Sequence, residues 1–141
     1  MTHLLIIGGG MAGGTAAEAL RDEGFDGDIT VVAAEPHPPY QRPPLSKGYL
    51  GGEEGLDAVH LHPSEWYAER GIRLVTGVAA TALDPAGHTV GLADGETLRY
   101  DAVLLAIPPP MISRCVMTAP LVVGRACQLA RAGAAKRACR A

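Results

Sequence analysis

Apolar residues are concentrated in four short stretches of the chain, at residues 4–7, 29–34, 72–75 and 102–106. The first and last of these contain no polar residue, as is typical of strands buried on both faces of a sheet. We therefore predict four strands, with residues 102–106 as a central strand of a parallel sheet.

Two segments between these strands have the pattern of amphipathic helices. In residues 15–21, Ala16, Ala17 and Leu20 fall on one helical face. A second helix is predicted to begin after an N-cap at Ser64 and to stop at Gly71. Strand, helix and strand in this order predict an α/β fold with a parallel sheet.

The pattern changes after residue 76. Turn sequences D-P-A-G at residues 84–87 and D-G at residues 94–95 separate short runs of alternating polarity. Such spacing predicts an antiparallel hairpin or meander.

A glycine motif lies between the first predicted strand and the first predicted helix. Gly8, Gly10 and Gly13 form G-x-G-x-x-G. The first glycine permits a tight turn, the second lets the backbone approach a pyrophosphate, and the third allows close packing of helix and strand. Glu35 follows the second strand, about 20 residues after the motif, where a carboxylate can accept hydrogen bonds from ribose hydroxyls.

These features predict a dinucleotide site, and the glycines alone do not distinguish FAD from NAD. A ribose 2′-phosphate would be repelled by Glu35, which disfavours NADP at this position. The meander favours FAD, because an NAD domain more often continues with alternating strands and helices.

Length and composition limit the number of domains and the location of the protein, but they do not identify a partner. Its 141 residues suffice for one modest domain. No apolar run approaches the length of a membrane span, and the N-terminus lacks a basic region typical of a signal peptide. We expect a cytoplasmic protein, with neither a membrane nor nucleic acid as a partner.

The charge distribution breaks near residue 106. Residues 1–106 contain 15 acidic and 6 basic residues, whereas residues 107–141 contain 6 basic and no acidic ones. We therefore predict a domain at residues 1–106 and a separate basic, alanine-rich tail at residues 107–141, expected to be disordered.

A second motif, P-Y-Q-R-P-P-L-S-K at residues 39–47, sharpens the interpretation. Together with the glycine motif, it resembles the FAD-dependent ferredoxin, rubredoxin and putidaredoxin reductase family. The resemblance covers about residues 3–106. It implies a Rossmann-like FAD-binding domain, and enzymes that pass electrons from NAD(P)H through FAD to a ferredoxin or similar small iron–sulfur protein.

The resemblance also implies positions for the cofactor. The FAD pyrophosphate would be surrounded by residues of the glycine motif, namely Gly8, Gly10, Ala12 and Gly13. Glu35 would bind the adenosine ribose, and the backbone at Ala80 would meet the adenine. The remaining residues would lie against the cofactor (Arg42), near the flavin ring (Lys47), and in the strand leading back to it (Ala106).

The sequence departs from the family in two places. The disulfide-reducing members of the larger group have a C-x-x-x-x-C pair after the second strand, and here that region has no cysteine. After Ala106 the family continues A-T-G, whereas this chain has I-P-P-P, and no second G-x-G-x-x-G follows for NAD(P)H. We hypothesise a reading-frame shift near codon 107 and an inactive N-terminal portion. The alternative is a stand-alone, non-catalytic module that binds FAD or ADP.

Other candidate sites are weaker. Cys115, Cys127 and Cys139 lie twelve residues apart, which is not a metal-ligand spacing. His60 and His62 form H-x-H without a third ligand nearby, so we expect surface or loop histidines. No metal site and no catalytic residue are predicted.

Overall fold

The computed structural model describes residues 2–41, 50–52, 55 and 59–107. Arg42, Lys47 and the predicted tail after Ile107 lie outside these ranges. In chain order the elements are β1 (His3–Ile7), α1 (Met11–Asp22), β2 (Asp28–Ala33), α2 (Ser64–Glu69), β3 (Ile72–Thr76), β4 (Ala80–Asp84), β5 (Thr89–Leu92), β6 (Thr97–Arg99) and β7 (Ala102–Leu105).

The predicted parallel sheet is confirmed. Its four strands lie in the order β3-β2-β1-β7, and every pair is parallel. Strands β4, β5 and β6 form a separate antiparallel sheet, as the two turn sequences predicted. In the first turn, the Asp84 Oδ1 atom accepts hydrogen bonds from the backbone N–H groups of Ala86 and Gly87 at 3.0 Å.

Both faces of the parallel sheet are covered, because successive side chains of a strand point to opposite faces. Leu5 and Ile7 of β1 pack towards the antiparallel sheet, in a cluster with Val90. Ile6 packs on the other face with Ala17 of α1 and Tyr67 of α2. The molecule is therefore layered as antiparallel sheet, parallel sheet and helices.

Three local predictions differ from the structure. Helix α1 begins at Met11 rather than residue 15, because the chain turns into the helix directly after its N-cap, Gly10. The N-cap of α2 is Pro63, so Ser64 is the first helical residue. Within the described residues β7 pairs with β1 alone, at the end of the strand order, and it is only partly buried, whereas a fully buried central strand was predicted.

The side chain of Arg21 connects the end of α1 to the turn after α2 by hydrogen bonds. Its guanidinium donates hydrogen bonds to four backbone carbonyl oxygens, which belong to Phe25, Gly27, Arg70 and Gly71. A planar group with five N–H donors can satisfy several acceptors at once. A cation at this end of α1 also interacts favourably with the helix dipole.

We expect Arg21→Met to lower the free energy of unfolding by about 2 kcal/mol, since hydrogen bonds to a charged donor contribute about 1.5–3 kcal/mol. Urea-induced unfolding measures this. Arg73→Met is the matched control, because among the described residues Arg73 makes a single, exposed ion pair, with Glu96 at 3.4 Å, worth less than about 1 kcal/mol. Equal losses in the two variants would contradict the role given to Arg21.

In the part of the chain that the structure describes, neither helix is long and apolar enough to cross a bilayer.

Candidate functional site

The glycine motif lies at the carboxyl edge of the parallel sheet. Gly8 follows β1, and its N–H donates to the Val32 carbonyl of β2 at 2.9 Å. The Ala106 N–H donates to the Ile7 carbonyl at 2.8 Å, so the end of β7 meets the start of the glycine turn. Ligands of open α/β sheets bind at this edge.

Two glycines of the motif have no room for a side chain. Gly8 has φ of +129°, a conformation that favours glycine, and a Cβ there would lie 2.3 Å from the Ala106 oxygen. A Cβ at Gly13 would lie 1.9 Å from the Gly8 oxygen. Gly8 therefore lets β7 approach the turn, and Gly13 lets α1 pack against it.

Gly10 differs from its neighbours because its surroundings are open. A Cβ at this position would have no atom of the described residues within 4 Å. No described side chain caps α1, and its first turn contains no acidic residue. The exposed Ala12 lies in that turn. As far as the described residues go, the space beside Gly10 at the N-terminus of α1 is therefore open, and free N–H groups at the positive end of a helix dipole suit a diphosphate.

Glu35 lies two residues after β2, at the same edge, and is exposed. Its backbone carbonyl accepts a hydrogen bond from the Gly77 N–H at 3.0 Å, and the Val78 N–H donates to the Ala33 carbonyl at 3.2 Å. These bonds place the segment leading to Ala80, the first residue of β4, beside the end of β2.

The start of the proline-rich motif packs against α1. Tyr40 forms isolated β-bridges with Gly10 and with His60. Its hydroxyl donates a hydrogen bond to Glu35 Oε2 at 2.5 Å. The two motifs found in the sequence therefore meet at one place.

The sequence reasoning missed two further glycines and Tyr40. A Cβ at Gly9 would lie 2.3 Å from the Ala33 Cβ atom, and one at Gly14 would lie 2.6 Å from the Pro39 Cβ atom. Both glycines occupy variable positions of G-x-G-x-x-G or lie just after it. The signal available was that glycines fill residues 8–10 and 13–14 without interruption.

The histidine pair, His60 and His62, makes contacts with aromatic and acidic side chains. The ring of His62 stacks on Trp66 with centroids 3.8 Å apart, and its Nε2 atom is 3.2 Å from Glu18 Oε1. Among the described residues, no group of three His, Cys, Asp or Glu side chains could bind a metal.

The clearest pKa shift also falls outside the carboxyl edge. Burial, reinforced by the charge of Glu18, raises the pKa of Tyr67 to about 12. The described residues provide no hydrogen-bond partner for its hydroxyl. Tyr67 packs in the core between the parallel sheet and the helices, so we assign its phenol no role in binding at the carboxyl edge.

Comparison with known proteins shows which family the fold belongs to. The sequence model of the pyridine nucleotide-disulphide oxidoreductase family matches residues 2–114. A probable ferredoxin reductase of Castellaniella defragrans is 47% identical over 104 residues, which are 74% of this chain and 25% of that protein. The ferredoxin–NAD(+) reductase subunit of the benzene 1,2-dioxygenase system of Pseudomonas putida is 42% identical over 104 residues, with the same coverage.

Solved structures agree. The covalent complex of putidaredoxin reductase with putidaredoxin matches with a TM-score of 0.72 and 36% identity, over 74% of this chain and 25% of that one. The ferredoxin reductase of the CYP199A2 system from Rhodopseudomonas palustris matches with a TM-score of 0.70 and 33% identity, over 75% and 26%. The chain thus spans about a quarter of the length of the relatives it matches. Its fold, its glycine turn and the match to the family model together show that the chain belongs to the pyridine nucleotide-disulphide oxidoreductase family.

Proposed function

We propose that residues 1–106 form the FAD-binding part of an NAD(P)H-dependent ferredoxin-type reductase in the cytoplasm. In this reaction electrons pass from NAD(P)H through FAD to a small iron–sulfur protein. The observation that carries the proposal is the open N-terminus of α1 at Gly10, with Glu35 at the same sheet edge. The ferredoxin reductases that the chain resembles support the electron-transfer activity.

Each part of the site has a role in this proposal. The N–H groups at the start of α1, from Gly10 through Ala12 and Gly13, bind the diphosphate. Gly8 lets the backbone at Ala106 approach the same point. Glu35 accepts hydrogen bonds from the adenosine ribose.

The backbone at Ala80 contacts the adenine. Arg42 and Lys47, outside the described residues, remain assigned to the cofactor through the sequence motif. When bound, FAD supplies the exchange between two-electron and one-electron chemistry. A lysine near its ring would stabilise negative charge on the reduced form.

The polypeptide of 141 residues would bind the adenosine and diphosphate half of FAD without turning over NADH. It spans about a quarter of its relatives' length. We therefore assign NAD(P)H binding and contact with the iron–sulfur partner to sequence that corresponds to the remaining three quarters. We also propose that the FAD-binding part ends at residue 106 and that the reading frame is shifted after it. It predicts that another frame of the gene encodes T-G and then a second glycine motif.

A visible absorption spectrum and ligand titrations of the purified chain test the proposal. We expect flavin absorption, release of FAD on denaturation, and much weaker binding of FMN, which lacks the adenosine half. A chain that binds neither FAD nor ADP would refute the proposed site. NADH-dependent reduction of a ferredoxin by this polypeptide would refute the proposal that it is inactive on its own. Thermal stabilisation by ADP without bound flavin would favour the non-catalytic module.

A further inference from the structure

The hydrogen bond between Tyr40 and Glu35 joins a half-buried tyrosine to an exposed carboxylate of the candidate site. The phenol hydroxyl donates to Glu35 Oε2 at 2.5 Å. A hydroxyl that donates to an ionised carboxylate forms one of the stronger hydrogen bonds in proteins, with oxygen–oxygen distances of about 2.5–2.7 Å.

The backbone on both sides of this bond is fixed. On the Tyr40 side, the Gln41 N–H donates to the Val59 carbonyl and the Leu61 N–H donates to the Pro39 carbonyl, each at 2.9 Å. The bridge between Tyr40 and Gly10 ties the same segment to the start of α1. On the other side, the Glu35 carbonyl accepts from Gly77. The position of the phenol is therefore set by the same turn that forms the glycine site.

An exposed glutamate without such a bond samples several rotamers, and ordering it on ligand binding costs conformational entropy. A bond to a fixed phenol restricts those rotamers before the ligand arrives, which is preorganisation. An ionised carboxylate has about four acceptor sites. A hydrogen bond from Tyr40 to Glu35 is therefore compatible with hydrogen bonds from ribose hydroxyls.

We infer that Tyr40 is a positioning residue: its hydroxyl orients the Glu35 carboxylate towards the ribose hydroxyls of a bound adenosine nucleotide. This inference rests on the proposed function and adds to it a role for the tyrosine of the proline-rich motif. It also explains why the two motifs are in contact.

Isothermal titration of the full chain with ADP tests the inference. We expect Tyr40→Phe to weaken ADP binding by about three- to tenfold, the effect of having to order one freed side chain on binding. With 2′,3′-dideoxy-ADP, which lacks both ribose hydroxyls, the same substitution should change affinity by less than about twofold. In a Glu35→Ala background, which removes the acceptor of the Tyr40 hydroxyl, Tyr40→Phe should add no further loss.

Tyr100→Phe is the matched control. Tyr100 precedes β7 at the opposite edge of the sheet, and its hydroxyl lies 3.4 Å from the Asp84 carbonyl oxygen. This control should bind ADP as the unaltered chain does. Unchanged or tighter ADP binding by Tyr40→Phe would overturn the inference alone, and so would an equal loss with the dideoxy nucleotide. Failure of the unaltered chain to bind any adenosine nucleotide would instead overturn the proposed function, and this inference with it.

Discussion

Replacing Gly13 with alanine is expected to destabilise the chain by about 3 kcal/mol, although alanine favours helix. The added Cβ would lie 1.9 Å from the Gly8 oxygen, far inside contact distance. That oxygen belongs to a fixed turn, since the Gly8 N–H is bonded to Val32. Overpacking of this kind costs about 1–3 kcal/mol or more, whereas the gain in helix propensity is about 1 kcal/mol. Backbone atoms cannot move away as a flexible side chain would, so the high end of the range applies.

Chemical denaturation of the unliganded chain measures this effect. The sign decides the interpretation, because Gly→Ala at an uncrowded helical position raises stability by up to about 1 kcal/mol. A Gly13→Ala chain as stable as the original would show that α1 does not pack on the glycine turn as described. Gly10→Ala serves as the control for adding one methyl group to the same motif, since its Cβ would meet nothing within 4 Å.

The parallel sheet was predictable because its strands are nearly continuous apolar runs. Residues 4–7 contain no polar side chain, and the structure buries Leu5, Ile6 and Ile7. The antiparallel sheet was predictable from turn chemistry, since Asp84 makes the local bonds that its sequence context indicated. In both cases the information is local.

The errors concern features that depend on distant parts of the chain. The first turn of α1 has little apolar periodicity, because Gly13 and Gly14 are buried against the turn and against Pro39 rather than in a side-chain core. The start at Met11 follows from that packing, which no helical pattern reveals. Likewise, apolar composition predicts that residues 102–106 are buried, but it does not say how many neighbours the strand has.

The glycines of the site and Glu35 could be predicted, because a strand–turn–helix that binds a dinucleotide requires these residue types at a fixed spacing. The contact between Tyr40 and Glu35 was not predicted, because the prolines between them restrict the path of the chain but do not define it. Gly9 and Gly14 were missed for a related reason. Both positions require glycine because Ala33 and Pro39 occupy the space that a Cβ atom would need. The sequence alone does not show that these residues are neighbours.

Gly10→Ala is expected to separate binding from folding. Gly10 has extended backbone, with φ of −85°, and no described atom occupies the space in front of it. Stability should change by less than about 1 kcal/mol, the usual difference between glycine and alanine at an N-cap. The affinity for FAD and for ADP should fall by about 100-fold, because a methyl group there keeps a diphosphate from the N–H groups of α1, and each hydrogen bond to a charged group contributes about 1.5–3 kcal/mol.

Titration with ADP and with adenosine distinguishes the cause of that loss. Adenosine has the ribose and the base but no diphosphate, so its weaker binding should be the same in the original chain and in Gly10→Ala. An equal loss for both ligands would mean that the substitution disturbs the ribose site at Glu35. Full retention of ADP affinity would mean that the diphosphate does not bind at the start of α1. Since Gly13→Ala should lower the stability and Gly10→Ala the affinity for the ligand, two methyl groups three residues apart test the packing and the binding of the glycine turn independently.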